Sequence, residues 1–565
     1  MGMMRLNPRL FLMMLACLPE LAMGAPEADT PPVTQTGPAT PATSPSTSAS
    51  RAVSPPVAGS PALNLQEFQV RGNTVLSKEA IEEAVYPHLG PGKSVADVEK
   101  ARADLEKAYH DAGYLTVYVT VPEQKVEHGV VTLKVTEGVI ERTRVSGAQY
   151  TLPSRIKSEA PSIAEGEVPN FNDMQHDLDT INRAPGLRVT PALEPGRMPG
   201  TTDIDLKVND SIPVSAWMDY NNAHSANTAT NQLAGGVTYK NLFQRAQTLS
   251  MQFQTLPQHP AESTAVSASY MVPLDGYQRY LSIYGVHSIS NVTSSSVSLG
   301  DQALFGNNDI LGARYIMPLR SRTGMTQQAI LGMDYKDSKQ DASGISTPVR
   351  YMTLDANYSL GLTDGSGNWQ LGAGMVLGLR SGETDQLDFG QRRYQARDNF
   401  AVLKLDAQRQ QKLPAGWALL ASTNMQLSDQ PLINNEQLTA GVVGSVRGYL
   451  QAEAAGDQGI RGSLELHAPT WNPGGWTLLK NIEPYVFLDG AYLHVTDALP
   501  GETASYTLAS VGLGLNMNAG RGFSLNLNVG DPLKDGPKNN LSVSPAQSYT
   551  EAYKPRVNFD TRLDF

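Results

Sequence analysis

The chain has 565 residues, 44 of them basic and 55 acidic, for a formal net charge of −11, and only 18% of its residues are charged. That length asks for at least two domains, and the acidic balance, with an isoelectric point near 5.4, excludes the basic footprint of a nucleic-acid binder. A mean hydropathy of −0.28 and the lack of an internal apolar run of about 18 residues exclude a helical membrane protein, but not a β-barrel, whose alternating strands average out.

Residues 1–24 read as a secretory signal peptide. Arg5 and Arg9 give a positive start, residues 10–18 a short apolar core, and Ala22-Met23-Gly24 a small-x-small cleavage site. The only cysteine, Cys17, lies inside this segment. The rival reading is a lipoprotein signal at Leu15-Ala16-Cys17, which Met14 and Leu15 fit poorly. A mature chain without cysteine suits an oxidising periplasmic route that needs no disulfides. Residues 25–63 are Pro, Ala, Ser and Thr with almost no large apolar side chain. Such a segment buries too little surface to offset its ordering entropy and is expected to be a disordered linker.

Residues 64–138 and 139–209 each follow the order strand, helix, helix, strand, strand. In the first, a strand over 65–70 and a Gly72-Asn73 turn precede a helix over 78–88 with Ser77 as N-cap. A second helix over 94–112 places Val95, Val98, Ala101, Leu105 and Tyr109 on one face, and Gly113 fits its C-cap. Strands over 115–121 and 130–135 close the unit. In the second, strands over 140–146, 187–193 and 202–208 surround helices near 153–159 and 171–181. A unit of about 70 residues that occurs twice is an internal repeat.

From residue 210 to 565 no helical pattern is evident. The chain breaks into alternating segments separated by Gly, Asn, Asp and Pro turns, at about 212–221, 231–241, 245–256, 262–272, 278–289, 307–318, 325–337, 348–362, 367–380, 399–412, 415–429, 459–471, 482–494, 505–518, 521–531 and 555–565. Sixteen is an even number, as closure of an antiparallel single-chain barrel requires. The last segment alternates from Val557 to the terminal Phe565, which resembles the C-terminal signal by which outer-membrane barrels are recognised for insertion.

Between the strands over 415–429 and 459–471 lies a Gly-rich loop, 441–458, too long and too featureless to be an ordinary turn. It carries Val446-Arg447-Gly448-Tyr449, and the strand after next carries Phe487-Leu488-Asp489-Gly490-Ala491. This pair of motifs resembles that of two-partner secretion transporters, the haemolysin and filamentous-haemagglutinin transporter family within the BamA-related superfamily. The resemblance implies that the loop folds back into the barrel and that Arg447 meets Asp489 on the inner wall, where an arginine fork fits one carboxylate. Tyr449 and Phe487 would pack beside them, and Asp457 and Glu465 match polar positions after the loop motif. It also identifies the two repeats as POTRA domains, two being the count of these transporters, whereas BamA-like assembly factors carry more. Members often have an N-terminal plug helix, for which the Pro-rich 25–63 is a poor candidate.

The fold expected is therefore mainly β: a 16-stranded transmembrane antiparallel β-barrel in the Gram-negative outer membrane, preceded by two periplasmic α+β POTRA domains. The implied function is translocation of a large unfolded exoprotein of haemolysin or adhesin type, with its own N-terminal secretion domain. Outer-membrane lipids and the barrel assembly machinery are the other implied partners. A BamA-like insertase and a diffusion porin are the alternatives; the repeat count speaks against the first, the repeats and the loop motif against the second. Enzyme signals fail. Gly90-Pro-Gly-Lys93-Ser94 has Pro87 where a phosphate loop needs glycine and reads as a turn. The nine histidines form no His-Glu-x-x-His pair. His128, His287 and His467 read as loop or lumen residues. No catalytic residue, cofactor or metal is implied.

Overall fold

The computed structural model describes residues 63–565 apart from 227, 291–295, 300–301, 343–344, 381–385, 443–444, 474–478, 521 and 539–548. The signal-peptide, lipoprotein and linker readings on residues 1–62 lie outside the described residues, as do Val443 and Gly444 of the long loop. The chain forms two compact units, divided between Ile212 and Pro213.

The first unit holds two small three-stranded sheets, each with two helices. In the first domain α1 (Lys78–Val85) and α2 (Val95–Asp111) pack on a sheet of Glu67–Arg71, Val130–Thr136 and Tyr118–Thr120, with Val130–Thr136 in the centre. Val98, Ala101, Leu105 and Tyr109 form the buried stripe of α2 against Val131, Leu133 and Val135. Full burial of a side chain the size of Leu105 stabilises by roughly 1.5–3 kcal/mol. Ser77 Oγ caps α1 by accepting from the Ala80 N–H at 3.2 Å. Two expectations change here. The strand expected over 65–70 breaks at Gln66, and the Gly90–Lys93 stretch is a strand pairing with Leu63–Leu65 rather than a turn. Edge pairing thus overrides a Gly-Pro-Gly composition that would otherwise read as irregular.

The second domain has α3 (Pro153–Glu159) and α4 (Phe171–Ile181) on a sheet of Val139–Ser146, Thr201–Asp210 and Leu187–Pro195, with Thr201–Asp210 in the centre. Asn170 joins the two domains. Its Oδ1 caps α4 by accepting from Asn172 N at 2.9 Å, and its Nδ2 donates to Ala112 O at 3.0 Å. Gly113, with φ of +97°, is required at this junction, because a Cβ there would stand 2.5 Å from Asn170 Oδ1.

The second unit is a closed antiparallel barrel of sixteen strands. They are β1 (Val214–Asn221), β2 (Gln232–Leu242), β3 (Gln247–Thr255), β4 (Ser263–Leu274), β5 (Arg279–Ser290), β6 (Asn307–Pro318), β7 (Met325–Ala342) and β8 (Ile345–Asp364). There follow β9 (Gly367–Leu379), β10 (Ala401–Lys412), β11 (Ala418–Ser428), β12 (Gln458–His467), β13 (Leu479–His494), β14 (Ser505–Ala519), β15 (Phe523–Pro532) and β16 (Arg556–Asp564). Each strand lies where the alternation places it, within a few residues. β7 and β8 run longer than expected, because their pairing continues through a polar stretch from Lys339–Pro348 to Ala342–Ile345. One short helix, Gln386–Arg392, stands in the connection between β9 and β10, where the alternation gave no sign of it.

The alternation has its physical reason on β13. Val486, Leu488 and Tyr492 are about half exposed on the outside, whereas Tyr485, Phe487, Asp489 and Ala491 are buried inside. An apolar exterior of this kind suits hydrocarbon. The interior is polar: Asn516, Asn526, Asn528 and Asn558 link side chain to side chain at 2.6, 2.9 and 3.1 Å across β14, β15 and β16. Closure is the shortest pairing, five residue pairs from Asp560–Asn221 to Asp564–Trp217. Phe565 adds to it, donating its N–H to Ala216 O at 2.8 Å.

Candidate functional site

Connections alternate between the two barrel ends, so the one after β11 is the sixth at the end opposite the chain's entry. We call it loop 6. Among its described residues Val446, Arg447, Tyr449 and Leu450 are buried, so this part lies inside the wall rather than above it.

Arg447 faces β12 and β13. Its main-chain N–H and Nε donate to Asp489 Oδ2 at 2.9 and 2.8 Å, and Nη2 donates to Asp489 Oδ1 at 2.7 Å. Nη2 also donates to Ser463 Oγ at 2.8 Å, and Nη1 lies 2.7 Å from Glu465 Oε1. Strand register brings these acceptors together, since Ser463 pairs with Asp489 and Glu465 with Phe487. The guanidinium carbon lies 3.6 Å from the centre of the Phe487 ring, a stacking that favours the cation where water is scarce. Glu465 Oε2 is 2.8 Å from His467 Nε2, and His467 stacks on Tyr485 with ring centres 5.0 Å apart.

Glycines make room for this arrangement. A Cβ on Gly512 would stand 2.3 Å from Phe487 Cζ, and one on Gly514 would stand 2.2 Å from Tyr485 Cζ. Both rings therefore lie flat against β14. Gly448 has φ of +90°, and a Cβ there would approach Gly530 O to 2.9 Å. Loop 6 thus rests backbone on backbone against β15. Gly490 follows Asp489 on the outward phase of β13, paired with Gly462 on one side and Ala509 on the other.

Tyr449 is fully buried among Val446, Ala491, Leu493 and Leu508. Its hydroxyl lies 3.0 Å from Ala509 O and 2.8 Å from Lys534 O. Asp457, at 0% exposure, gathers three connections. Oδ1 accepts from Leu432 N and Gln437 Nε2, both at 2.9 Å. Oδ2 accepts from Thr496 N at 2.7 Å and Arg393 Nη2 at 3.1 Å. The structure thus brings Val446, Arg447, Gly448, Tyr449, Glu465, Phe487 and Asp489 into one site, whereas Gly490 follows Asp489 on the outward phase of the strand. Asp457 stands at the base of the loop, and Phe565 lies apart, at the seam.

Three participants went unnoticed in the sequence. Ser463 and Tyr485 share the inward phase of β12 and β13, so extending the alternation from Glu465 and Asp489 would have found them. Glu436 has no motif around it, yet it forms a second buried ion pair: Lys336 Nζ on β7 lies 2.7 Å from Glu436 Oε1, and the Tyr351 hydroxyl on β8 donates to the same oxygen at 2.6 Å. Among the described residues no group of three His, Cys, Asp or Glu side chains is arranged to hold a metal ion.

Comparison with known proteins agrees with this geometry. Residues 63–138 match the POTRA domain of ShlB type, and residues 200–517, more than half of the chain, match the haemolysin secretion/activation protein family ShlB/FhaC/HecB. The outer membrane transporter CdiB of Dickeya dadantii (strain 3937) is 25% identical over 492 residues, covering 84% of this chain and 83% of that protein. The heme/hemopexin transporter protein HuxB of Haemophilus influenzae (strain ATCC 51907 / DSM 11121 / KW20 / Rd) is 21% identical over 489 residues, covering 84% of each. Among solved structures, CdiB from Escherichia coli superposes with a TM-score of 0.56 at 19% identity, covering 91% of this chain and 93% of that one. BamA from Haemophilus ducreyi lacking POTRA domains 1–3 gives 0.51 at 14% identity, covering 89% and 100%. Both structural likenesses are of fold.

Proposed function

The chain belongs to the haemolysin secretion/activation protein family ShlB/FhaC/HecB, and from that membership we propose how it does its work. It is an outer-membrane transporter of the two-partner secretion class, with its POTRA unit on the periplasmic side and an exoprotein as its cargo. The proposal concerns loop 6: Arg447 and Asp489 hold it across the lumen at rest, and its withdrawal opens the path for an unfolded exoprotein. The observation that carries this is the buried, three-bonded contact between them. A buried charge pair is dear to break on one side only, so it gives two distinct positions rather than a continuum.

The exoprotein, entering through an N-terminal secretion domain, would first add a strand to the POTRA unit, because an open sheet edge accepts an extended chain through main-chain bonds. Of the four edges of its two three-stranded sheets, three carry a side-chain cap. The Val119 N–H already donates to Glu106 Oε2 at 3.0 Å, and Val119 O accepts from Arg102 Nη1 at 3.3 Å. Asn182 spans Val189 at both its N–H and C=O, at 2.7 and 3.0 Å. Thr143 N donates to Glu165 Oε1 at 3.1 Å. Among the described residues, the outer edge of Glu67–Arg71 has no such side-chain cap, which favours it as the docking edge. The apolar barrel exterior meets outer-membrane lipid, and the alternating β16, Arg556–Asp564, suits handling by the barrel assembly machinery.

The test is secretion of the cognate exoprotein by a Gram-negative host carrying this chain. Surface or medium exoprotein in its presence, and periplasmic retention in its absence, supports the proposal. Equal export without it overturns it.

A further inference from the structure

Among the contacts of loop 6 with the wall are two buried ion pairs, and the wall is left in different states when each is released. At one place Glu436 meets Lys336 and Tyr351. Lys336 and Glu436 are both buried. Two residues along the same face of β7 stands Asp334, which takes Arg314 Nη1 and Nη2 at 2.6 and 2.8 Å. Asp355 on β8 lies 3.5 Å from the same guanidinium. Asp334 and Asp355 are also the other carboxylates acting on Lys336. With Glu436 withdrawn, this wall keeps Arg314 and Lys336 against Asp334 and Asp355: two positive charges and two negative.

At the other place one carboxylate depends on the loop alone. Among the described residues, every hydrogen bond that Asp489 accepts comes from Arg447. Glu465 is shared between Arg447 and His467, and Glu483 lies 3.5 Å from His467. With Arg447 withdrawn, buried Asp489 loses these three bonds, and Glu465 keeps His467, which Glu483 also faces. A buried carboxylate stripped of its donors is strongly disfavoured, whereas a self-balanced set is not.

We infer that loop 6 opens from its Glu436 end. Lys336 and Tyr351 form a positioning latch that lets go first, while Arg447 stays docked as the hinge. This rests on loop 6 being the movable element of transport, and it adds the order in which its two buried ion pairs to the wall release.

Single cysteines report that order. In a Cys17→Ser background an introduced cysteine is the only one in the chain. Asn434→Cys reads the Glu436 end and Ser445→Cys reads the Arg447 end, both by reaction with a membrane-impermeant maleimide on intact cells. Lys336→Met is expected to speed labelling at 434 about tenfold, as a shifted two-state population would, and to leave 445 slow. Glu436→Gln, which keeps the side-chain shape, should do the same, and Lys336→Glu with Glu436→Lys should restore slow labelling. Heat-modifiability checks that each barrel is closed. Faster labelling at 445 than at 434, equal gains at both, or no gain at 434 in either single variant overturns the latch. Export by Arg447→Ala cells is read separately: indifference there sinks loop 6 as the transport element, whatever the labelling order.

Discussion

Arg447 and Asp489, 42 positions apart in the chain, meet through three hydrogen bonds of which one comes from the main chain of Arg447. The loop is therefore fixed in backbone position as well as by charge. Arg447→Lys keeps the charge but loses the planar fork and its shared contact with Ser463. We predict a loss of about 1.5–3 kcal/mol in loop docking, the scale of hydrogen bonds to charged groups. Limited proteolysis of loop 6 in the folded barrel should show faster cleavage for Arg447→Lys than for the parent.

Gly448 is expected to tolerate nothing larger. Ala at this position meets both a positive φ and the Gly530 carbonyl, and the left-handed conformation alone costs roughly 1–2 kcal/mol for a residue with a Cβ. Gly448→Ala should raise loop cleavage while leaving the barrel heat-modifiable. Gly530→Ala, which would crowd Gly448 N to 2.7 Å from the wall side, should give the same phenotype. If only one of the two does, the close approach is not the reason.

Asp457→Ala should loosen three connections at once, because its carboxylate accepts from Leu432, Gln437, Arg393 and Thr496. Arg393 would keep only the more distant Glu502, at 4.0 Å, so the cost should fall below the roughly 3–5 kcal/mol of removing one partner of a fully buried pair. Hydrogen exchange should rise together in residues 386–397, 430–440 and 495–500. A rise confined to one of them would show that Asp457 is not their common anchor.

The POTRA unit should weaken in acid. The Ser94 N–H and hydroxyl hold the Asp97 carboxyl below its ordinary range, the Thr201 hydroxyl and Met198 N–H do so for Glu141, and the Thr143 N–H does so for Glu165. A carboxyl whose folded pKa is lowered adds stability above its unfolded pKa, about 4, and that stability drains as pH falls through the folded value. Hydrogen-exchange protection over residues 63–212 of the full chain should be flat from neutral pH to about 5 and decline below about 4. Glu165→Gln should shrink that decline.

Much of the barrel was legible because its strands obey one period. The inward phase of β13 follows from Tyr485, Phe487 and Asp489 alone, and closure from an even strand count. The Arg447–Asp489 contact was legible only because both ends carry recognisable neighbours, Gly448-Tyr449 on one side and Phe487 and Gly490 on the other. Glu436 shows the limit. Its partner Lys336 lies 100 positions away, on a strand whose register no local pattern fixes, so an isolated glutamate in a loop gave no hint of an ion pair. Gly90–Lys93 shows another: its strand exists because Leu63–Leu65 lies beside it, a contact that its own composition hides. The helix Gln386–Arg392 is too short for an apolar period, and Phe389 is held by Tyr351, with ring centres 5.5 Å apart.

The most direct measurement is export of the cognate exoprotein by cells carrying Arg447→Ala or Asp489→Ala, with each barrel shown to be inserted at parent levels and heat-modifiable. Both substitutions should abolish or severely reduce secretion, because each leaves a buried charge without its partner and the loop without its seat. Undiminished secretion from correctly inserted barrels of either variant would contradict a working role for the contact between loop 6 and the wall.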